Sequence, residues 1–382
     1  MPGVRRMKRR RNGPLPTVDE RITVMIYSLQ GGGAERMAVG LADALAETEL
    51  VDLVVARAEG AFLAEVPPGV RLVDLRAGSA GAWLRRLVGY LRTTRPRALL
   101  AVMDTAGAIA VAARAIARSK VRIVVSSHNT FSLHAAHAPR WKERHLLPRA
   151  VSWLYPRADG IVALSEGVAQ DLAKVARLPR SRITVIANPV VSDELVASAG
   201  APVEHPWFGD GEPPVLLAAG RLTEQKDYPT LLRAFSAARQ KRRLRLVILG
   251  EGEARPALTR LAGELGVDAD VDMAGFVMNP YAYMARASAF VLSSAWEGFG
   301  NVLVEALACG TPVVSTDCPS GPSEILDSGR YGRLVPVGDH RALASAILAT
   351  LDDPVDATVL RARASSFRMH GIIDRYRMVL GL

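Results

Sequence analysis

The sequence predicts an α/β protein built from two similar domains, each with a parallel sheet covered by helices. Its 382 residues exceed the usual size of a single hydrophobic core. From residue 21 onward, short β-branched runs alternate with longer stretches of helical period, which is typical of strands joined by crossover helices. This alternation stops at 191–214, where proline and glycine are frequent, and then resumes.

The predicted strands form two series. The first series predicts a sheet of seven strands, at 22–28, 51–56, 71–75, 98–102, 122–126, 160–163 and 183–186. The second predicts a sheet of six strands, at 215–219, 245–249, 271–274, 289–292, 312–315 and 334–335. Helical stretches such as 228–239 and 255–265 lie between strands, and 355–382 reads as helices of mixed polarity. The chain thus divides into a basic disordered tail (1–20), domain one (21–190), a linker (191–214), domain two (215–365) and a C-terminal helix (366–382).

Basic residues are concentrated at the start of the chain. The formal net charge is +10, and six of the first eleven residues are lysine or arginine. Three interpretations of this tail remain open: a solvated segment, contact with an anionic membrane, and contact with nucleic acid. Because no aromatic residue lies among these charges and no element that reads nucleic acid is recognisable elsewhere, we expect no nucleic-acid partner.

The sequence favours a cytoplasmic protein. Residues 12–21 are polar and rich in proline where a signal peptide needs an apolar segment, and no uncharged apolar run reaches 18 residues. The two cysteines, Cys309 and Cys318, are too few for a disulfide framework and fit a reducing compartment.

A glycine-rich turn follows the first predicted strand. Gly31, Gly32 and Gly33 open a helix there, and a helix N-terminus bearing bare backbone amides attracts anions. The alternative is a tight strand-to-helix turn without a ligand.

A basic loop follows the first strand of domain two. Gly220 and Arg221 begin it and Lys226 lies near its end, at the edge of the sheet where ligands of parallel α/β domains bind. The two cations suit a diphosphate, whereas the alternative is a solvated loop with two surface charges.

Two carboxylates frame a second glycine-rich turn. Glu297 precedes Gly298 and Gly300, a helix is predicted to open near the cap residue Asn301, and Glu305 lies one turn inside that helix. Glu297 could accept hydrogen bonds from sugar hydroxyls and Glu305 from a ribose. The alternative for Glu305, an ordinary helix glutamate, would place a carboxylate on an apolar face.

A histidine and the acidic pairs complete the candidate residues. His128 follows a domain-one strand at its carboxyl end, where it could hydrogen-bond a ligand, although it could also be a satisfied structural histidine. The two Asp-x-Asp strings, within 268–272, lead into the opposite end of a strand. We therefore expect no metal site.

These motifs together resemble the retaining glycosyltransferases of the GT-B fold that are commonly called family 4. The resemblance spans the chain from residue 21 onward. It rests on GGGAER (31–36), SSHN (126–129), ALSEG (163–167), NP (188–189), GRLTEQKDYPTLL (220–232), GEGE (250–253), GF (275–276) and EGFGNVLVEALACGTPVVSTDCPSGPSEIL (297–326). The last stretch contains an E-x7-E signature, and its end looks most like enzymes that extend bacterial cell-surface glycans.

The resemblance implies a fold, an arrangement of the site and an activity. Two Rossmann-like domains should face each other across a cleft, domain one on the acceptor side and domain two binding the donor, with the C-terminal helix crossing back to domain one. Arg221 and Lys226 should neutralise the donor diphosphate, Glu305 should hold the ribose, and Glu297 and His128 should contact the hexose. The remaining donor-binding residues would be Gly31, Gly32, Gly220, Glu251, Gly298, Phe299, Gly300, Asn301 and Val302.

The implied reaction is retaining transfer of a hexose or N-acetylhexosamine from a nucleotide diphosphate sugar to a glycan or polyprenyl-diphosphate-linked acceptor. A UDP-sugar is preferred and GDP-mannose is possible. Fixed cations and backbone amides would replace a metal, and no cofactor is expected. The alternatives are a non-catalytic nucleotide-sugar-binding module and a sugar-diphosphate epimerase of the same fold.

Two basic amphipathic stretches in domain one, 83–97 and 141–157, suggest peripheral attachment to the inner face of the plasma membrane. Each could equally be an ordinary helix whose apolar side meets the sheet.

Overall fold

The computed structural model describes residues 20–30, 32–137 and 141–382, with the backbone alone at 142 and 143.

The first sheet lies in the N-terminal half of the chain. The strands of this sheet are β1 (Arg21–Ile26), β2 (Leu50–Val55), β3 (Val70–Asp74), β4 (Ala98–Val102), β5 (Arg122–Ser127), β6 (Gly160–Ala163) and β7 (Thr184–Val185). All neighbours are parallel, in the order β3-β2-β1-β4-β5-β6-β7.

The second sheet repeats this order with one strand fewer. Its strands are β8 (Val215–Ala219), β9 (Arg245–Leu249), β10 (Val271–Gly275), β11 (Ala289–Leu292), β12 (Val313–Thr316) and β13 (Arg333–Val335). They are parallel in the order β10-β9-β8-β11-β12-β13. The prediction of two doubly wound sheets, with seven and six strands, is confirmed.

Helices cover both faces of each sheet. Around the first sheet lie α1 (Gly33–Ala46), α2 (Ala80–Thr94), α3 (Asp104–Ala117), α4 (Phe131–Ala136), α5 (Trp141–Leu154) and α6 (Glu166–Ala176), and α7 (Asp193–Ser198) follows in the predicted linker. The second half contains α8 (Tyr228–Arg239), α9 (Arg255–Glu264), α10 (Pro280–Arg286), α11 (Asn301–Cys309), α12 (Pro322–Ile325), α13 (His340–Asp352), α14 (Ala357–Ser365) and α15 (Met369–Leu380). Because helices shield both faces, the central strands β4 and β8 are buried along their whole length.

The chain crosses between the domains twice, and the two crossings lie side by side. The backbone N–H groups of Val190 and Val191 both donate to the carbonyl of Phe367, at 2.9 and 3.1 Å, and Val191 forms a parallel bridge with Arg368. Helix α15 then packs on the first sheet, where Tyr376 and Leu380 are buried in the same core as α1. The prediction that the C-terminal helix returns to domain one is confirmed.

The two basic amphipathic stretches differ in their packing. Helix α2 buries Trp83, Leu87 and Leu91 against the sheet, so the stretch 83–97 is an ordinary domain helix. Helix α5 instead leaves Trp141 and Trp153 exposed, at 64% and 65% of their surface. No helix within the described ranges is long and apolar enough to cross a bilayer. The basic tail at 1–19 lies outside the described residues.

Candidate active site in the interdomain cleft

The strand order places a crevice in each sheet at the point where the chain changes direction. In the first sheet this point lies between β1 and β4, and in the second between β8 and β11. Ligands of open parallel sheets bind outside the carboxyl ends of strands at such points. The segments that follow these strands face each other across the cleft between the domains.

The loop after β8 brings Lys226 to Glu297. Hydrogen bonds from the N–H of Ala295 to the carbonyl of Gln225 and from Ser293 Oγ to the carbonyl of Lys226, both 2.8 Å long, tie this loop to the segment after β11. Lys226 Nζ then lies 2.5 Å from Glu297 Oε1, which also accepts from Ser294 Oγ at 2.7 Å. Glu297 is almost fully buried, so the ammonium and the hydroxyl hold its carboxylate in one orientation.

Arg221 lies on the same loop, directly after Gly220. Its side chain is exposed and forms no ion pair with any residue that the structure describes. Its planar fork therefore remains available for an oxyanion. Both predicted diphosphate cations lie on the loop that follows the carboxyl end of β8.

The turn from Gly298 to Gly300 leads into α11. Gly300 has a left-handed backbone (φ 95°) and occupies the cap position, so Asn301 is the first helical residue rather than the cap. The prediction that Asn301 caps this helix is wrong. Its side chain instead accepts a hydrogen bond across the cleft from Asn188 Nδ2, at 2.9 Å.

The other members of this turn contribute backbone rather than side chains. Phe299 is buried against Phe367, with ring centroids 5.7 Å apart, so only its peptide groups are available to a ligand. Val302 lies half-buried against the same core. The open N-terminus of α11 presents amides that favour a bound anion.

Glu305 lies on the first inner turn of α11 and is half-buried. Burial raises the pKa of its carboxyl group, and the positive charges of Arg36 and Lys226 act against this rise. Its carboxylate accepts no hydrogen bond from the described residues, although an unpaired buried carboxylate is unfavourable. A hydroxyl group of a ligand could donate the hydrogen bond that the Glu305 carboxylate lacks.

His128 faces this turn from domain one. It is buried, its Nε2 lies 3.0 Å from Ser126 Oγ, and its Nδ1 has no partner in the described part of the chain. Burial lowers the pKa of His128 to about 3, so the ring is neutral at physiological pH. A buried ring nitrogen without a partner suits a hydroxyl of a bound sugar.

The low pKa of His128 predicts acid sensitivity. An unfolded histidine has a pKa of about 6.5, so between pH 6.5 and 3 the unfolded state binds more protons and stability falls as pH falls. From pH 7 to pH 5, urea unfolding should show the wild type losing about 2 kcal/mol more than His128→Gln. Asp104, whose pKa burial raises to about 6, acts in the opposite direction but is present in both proteins. Equal losses of unfolding free energy in the wild type and in His128→Gln would contradict a neutral His128.

The two domains are in direct contact along the cleft. A Cβ atom at Gly298 would overlap the carbonyl oxygen of His128, and Thr130 Oγ1 donates to the carbonyl of Glu297 at 2.7 Å. The carboxylate of Glu324, in α12, accepts from the N–H groups of Glu166 and Gly167 at the start of α6, at 2.8 and 3.2 Å. These contacts describe a closed cleft.

The glycine turn of domain one reaches the same place. Gly32 is exposed, and Gly33 lies so close to the side chain of Asn301 that a Cβ atom would contact its amide. The predicted site residue Gly31 lies outside the described residues. The N-termini of α1 and α11 therefore meet in the cleft, and both favour an anion.

Glu251 is at the edge of the site. It follows β9, and both of its carboxylate oxygens accept from Arg255, at 2.6 and 2.8 Å. A ligand would have to share this carboxylate with the arginine. The aspartates predicted not to bind metal lie at the amino end of β10, where Asp270 accepts from Arg239 and Arg245 at 2.7 and 2.8 Å.

Several residues of the site were not predicted. Ser294 orients Glu297, Thr130 joins the domains, and Arg36 donates to the hydroxyl of Tyr281 across the cleft. Ser294 lies just after a predicted strand, which could have identified it. The pairing of Arg36 with Tyr281 joins residues 245 positions apart and has no local signal.

Both halves of the chain match known families. Residues 31–194 match the family model described as Glycosyltransferase Family 4, and residues 213–353 match the model described as Glycosyl transferases group 1.

Two of the curated relatives are bacterial glycosyltransferases. The N-acetylgalactosamine-N,N'-diacetylbacillosaminyl-diphospho-undecaprenol 4-alpha-N-acetylgalactosaminyltransferase of Campylobacter jejuni is 29% identical over 344 residues, which cover 87% of this chain and 91% of the relative. The lipopolysaccharide core biosynthesis glycosyltransferase LpsE of Rhizobium meliloti is 32% identical over 59% of this chain and 65% of its own length.

Solved structures share the whole fold. Anabaena Alr3699/HepE in complex with UDP and glucose superposes with a TM-score of 0.77 at 20% identity, covering 95% of this chain and 99% of that protein. The lipopolysaccharide outer core galactosyltransferase WaaB superposes with a TM-score of 0.72 at 19% identity, covering 94% of this chain and 98% of that protein. With a family 4 domain followed by a group 1 domain in the GT-B arrangement, this chain belongs to the glycosyltransferases.

Proposed function

We propose that the protein transfers a hexose or N-acetylhexosamine from a UDP-sugar to a glycan or polyprenyl-diphosphate-linked acceptor of the bacterial cell surface, with retention of configuration and without a metal. The observation that carries this proposal is the Lys226–Glu297–Ser294 cluster at the open N-terminus of α11, directly opposite His128. The lipid-linked substrate in the name of the Campylobacter relative supports the acceptor class, and the UDP in HepE supports the donor.

Leaving-group stabilisation follows from the charges on the second domain. Cleavage of the bond between C1 and the phosphate oxygen builds negative charge on the departing diphosphate. Arg221, Lys226 and the amides that begin α11 would meet that charge with fixed donors, which typically contribute several kcal/mol to transition-state stabilisation. These groups could fulfil the role of a metal ion.

Retention is proposed through a same-face route. Glu297 is already engaged by Lys226 and Ser294, which suits holding hexose hydroxyls better than attacking the sugar. His128 is a poor base at neutral pH because its pKa is lowered to about 3. We therefore assign the acceptor proton to an oxygen of the leaving phosphate, while His128 binds the donor hexose through Nδ1.

A donor panel tests this function. Purified protein would be offered UDP- and GDP-linked hexoses and N-acetylhexosamines with a polyprenyl-diphosphate sugar acceptor, with and without EDTA. We expect transfer from one UDP-sugar that EDTA leaves unchanged and that Glu305→Gln strongly reduces. Transfer from GDP-mannose would revise the nucleotide. Epimerised donor without transfer would favour an epimerase, and binding without turnover would favour a binding module.

Helix α5 is the surface that we propose rests on the inner face of the membrane. A groove between α5 and α6 is lined by Arg144, His145, Arg149, Lys174 and Arg177. None of its arginines or its lysine forms an ion pair with a described carboxylate. Exposed Trp153, with the guanidinium of Arg157 4.2 Å above its ring, lies on the same helix, and tryptophan favours the membrane interface.

Vesicle binding should therefore depend on this groove. Reversing the charges of Arg149 and Lys174 to glutamate should weaken co-sedimentation with phosphatidylglycerol vesicles roughly tenfold or more, because each basic residue contributes about 1 kcal/mol at an anionic surface. The matched control is Arg85→Glu with Lys120→Glu, which changes net charge equally at exposed positions outside the groove. Equal weakening in both double variants, or equal binding to neutral phosphatidylcholine vesicles, would contradict the proposal.

A further inference from the structure

Arg36 is a domain-one residue that reaches into the donor side of the cleft. It lies in the first turn of α1, directly after the glycine turn, and its guanidinium is 5.1 Å from the centre of the Phe62 ring. Across the cleft it donates to the hydroxyl of Tyr281, at the start of α10. Both partners are neutral, and Arg36 forms no ion pair with any described carboxylate. An exposed arginine is thus held in place by two neutral groups and without a direct ion pair.

Arg36 and Tyr281 lie beside the carboxylate of Glu305. Burial and the charge of Glu305 both raise the pKa of the Tyr281 phenol. Burial also raises the pKa of Glu305, and the positive charge of Arg36 acts against that rise. Helices α10 and α11 pack together here, and Cys309, one turn after Glu305, donates its thiol to the Tyr281 carbonyl at 3.6 Å. Arg36 and Glu305 are close enough to interact electrostatically, yet no hydrogen bond joins them. The guanidinium of Arg36 and the carboxylate of Glu305 are therefore near each other without being paired, and each has bonding capacity left for a ligand.

A nucleoside diphosphate has the chemistry to bind both of these side chains. Its ribose carries hydroxyls that can donate to Glu305, and its phosphates carry oxyanions that suit the planar fork of an arginine. The adjacent N-termini of α1 and α11 also favour negative charge. A phenol is a weak partner for a guanidinium, so a phosphate oxygen would replace it readily.

We propose that Arg36 is a donor-binding residue that domain one supplies, and that its guanidinium leaves Tyr281 for the donor diphosphate when the nucleotide binds. Because Arg36 belongs to one domain and Glu305 to the other, nucleotide binding and cleft closure then stabilise each other. This inference rests on the proposed function, since it requires a nucleoside diphosphate as the ligand.

The test compares ligands that differ only in their phosphates. Isothermal titration of the full chain with UDP and with uridine would be carried out on wild type, Arg36→Gln and the matched control Arg85→Gln, an exposed domain-one arginine on α2. We expect Arg36→Gln to weaken UDP binding about tenfold, the effect of one charge-assisted hydrogen bond, and to leave uridine binding unchanged. Arg85→Gln should change neither, and Tyr281→Phe should not weaken UDP binding.

The coupling between nucleotide binding and cleft closure is tested in a variant whose cleft cannot close. In Gly298→Ala the added methyl group collides with the carbonyl of His128, so Arg36 should no longer reach the nucleotide. Arg36→Gln should then weaken UDP binding much less than tenfold. Equal weakening in both backgrounds, equal loss of UDP and uridine, or no loss of either would overturn the inference. If the wild type does not bind UDP, the proposed function fails instead.

Discussion

Replacing Lys226 by alanine should lower kcat/KM for sugar transfer by roughly 100- to 1,000-fold, the usual effect of removing one fixed donor from a developing oxyanion. Lys226 is paired with Glu297 at 2.5 Å, so the same change also leaves a buried carboxylate without its cation. We therefore expect a loss of stability as well, of about 3 kcal/mol. Initial rates with the preferred donor and thermal unfolding measure the two effects.

Two further variants separate catalysis from folding. Lys241→Ala removes an exposed lysine just beyond the end of α8, in the same domain, and should change neither quantity. Lys226→Met combined with Glu297→Gln replaces the ion pair by neutral groups and should recover much of the lost stability while staying inactive. If Lys226→Ala retained more than half of the wild-type kcat/KM at full stability, the lysine would not hold the diphosphate.

Replacing Gly298 by alanine should lower kcat at least 100-fold with little change in stability. The new methyl group would overlap the backbone carbonyl of His128, and backbone on both sides of this contact cannot move aside as a flexible side chain would. The domains would have to stay apart, and a displacement of about 1 Å in a catalytic arrangement can cost a factor of about 100. Steady-state kinetics and the radius of gyration from X-ray scattering in the presence of UDP would detect the change.

The control for this variant is Gly263→Ala. Gly263 lies inside α9 with no neighbour within 4 Å of an added Cβ atom, so the substitution should be neutral or slightly stabilising. An active Gly298→Ala enzyme, or one as compact as the wild type when UDP is bound, would mean that the contact between Gly298 and His128 is not part of the catalytic form.

The sequence was sufficient to predict the sheets because parallel strands that are buried on both faces appear as continuous apolar runs. The segments that became β4, β8 and β11 are of this kind, and each lies where predicted. The loop of Lys226 and the turn of Glu297 could be predicted as well, since a polar segment directly after such a strand must lie at the carboxyl edge of the sheet. The sheets and the loops that follow their strands can both be predicted because each depends only on residues that are adjacent in sequence.

What could not be predicted depends on contacts between distant segments. The local sequence around Asn301 fits a helix cap, but its side chain pairs with Asn188 from the other domain. Nothing near Arg36 in sequence indicates its contact with Tyr281. The stretches 83–97 and 141–157 have similar compositions, and only packing shows that Trp83 is buried and Trp153 is not.

The paired crossings at Val190–Val191 and Phe367–Arg368 determine how the enzyme can move. A single covalent connection would let the two halves swivel freely around each other. Two backbone segments bonded side by side behave instead as a short ribbon, which bends far more easily than it twists. We therefore expect the cleft to open by a hinge-like rocking motion, in which each closure brings the same atoms of the two halves back into register.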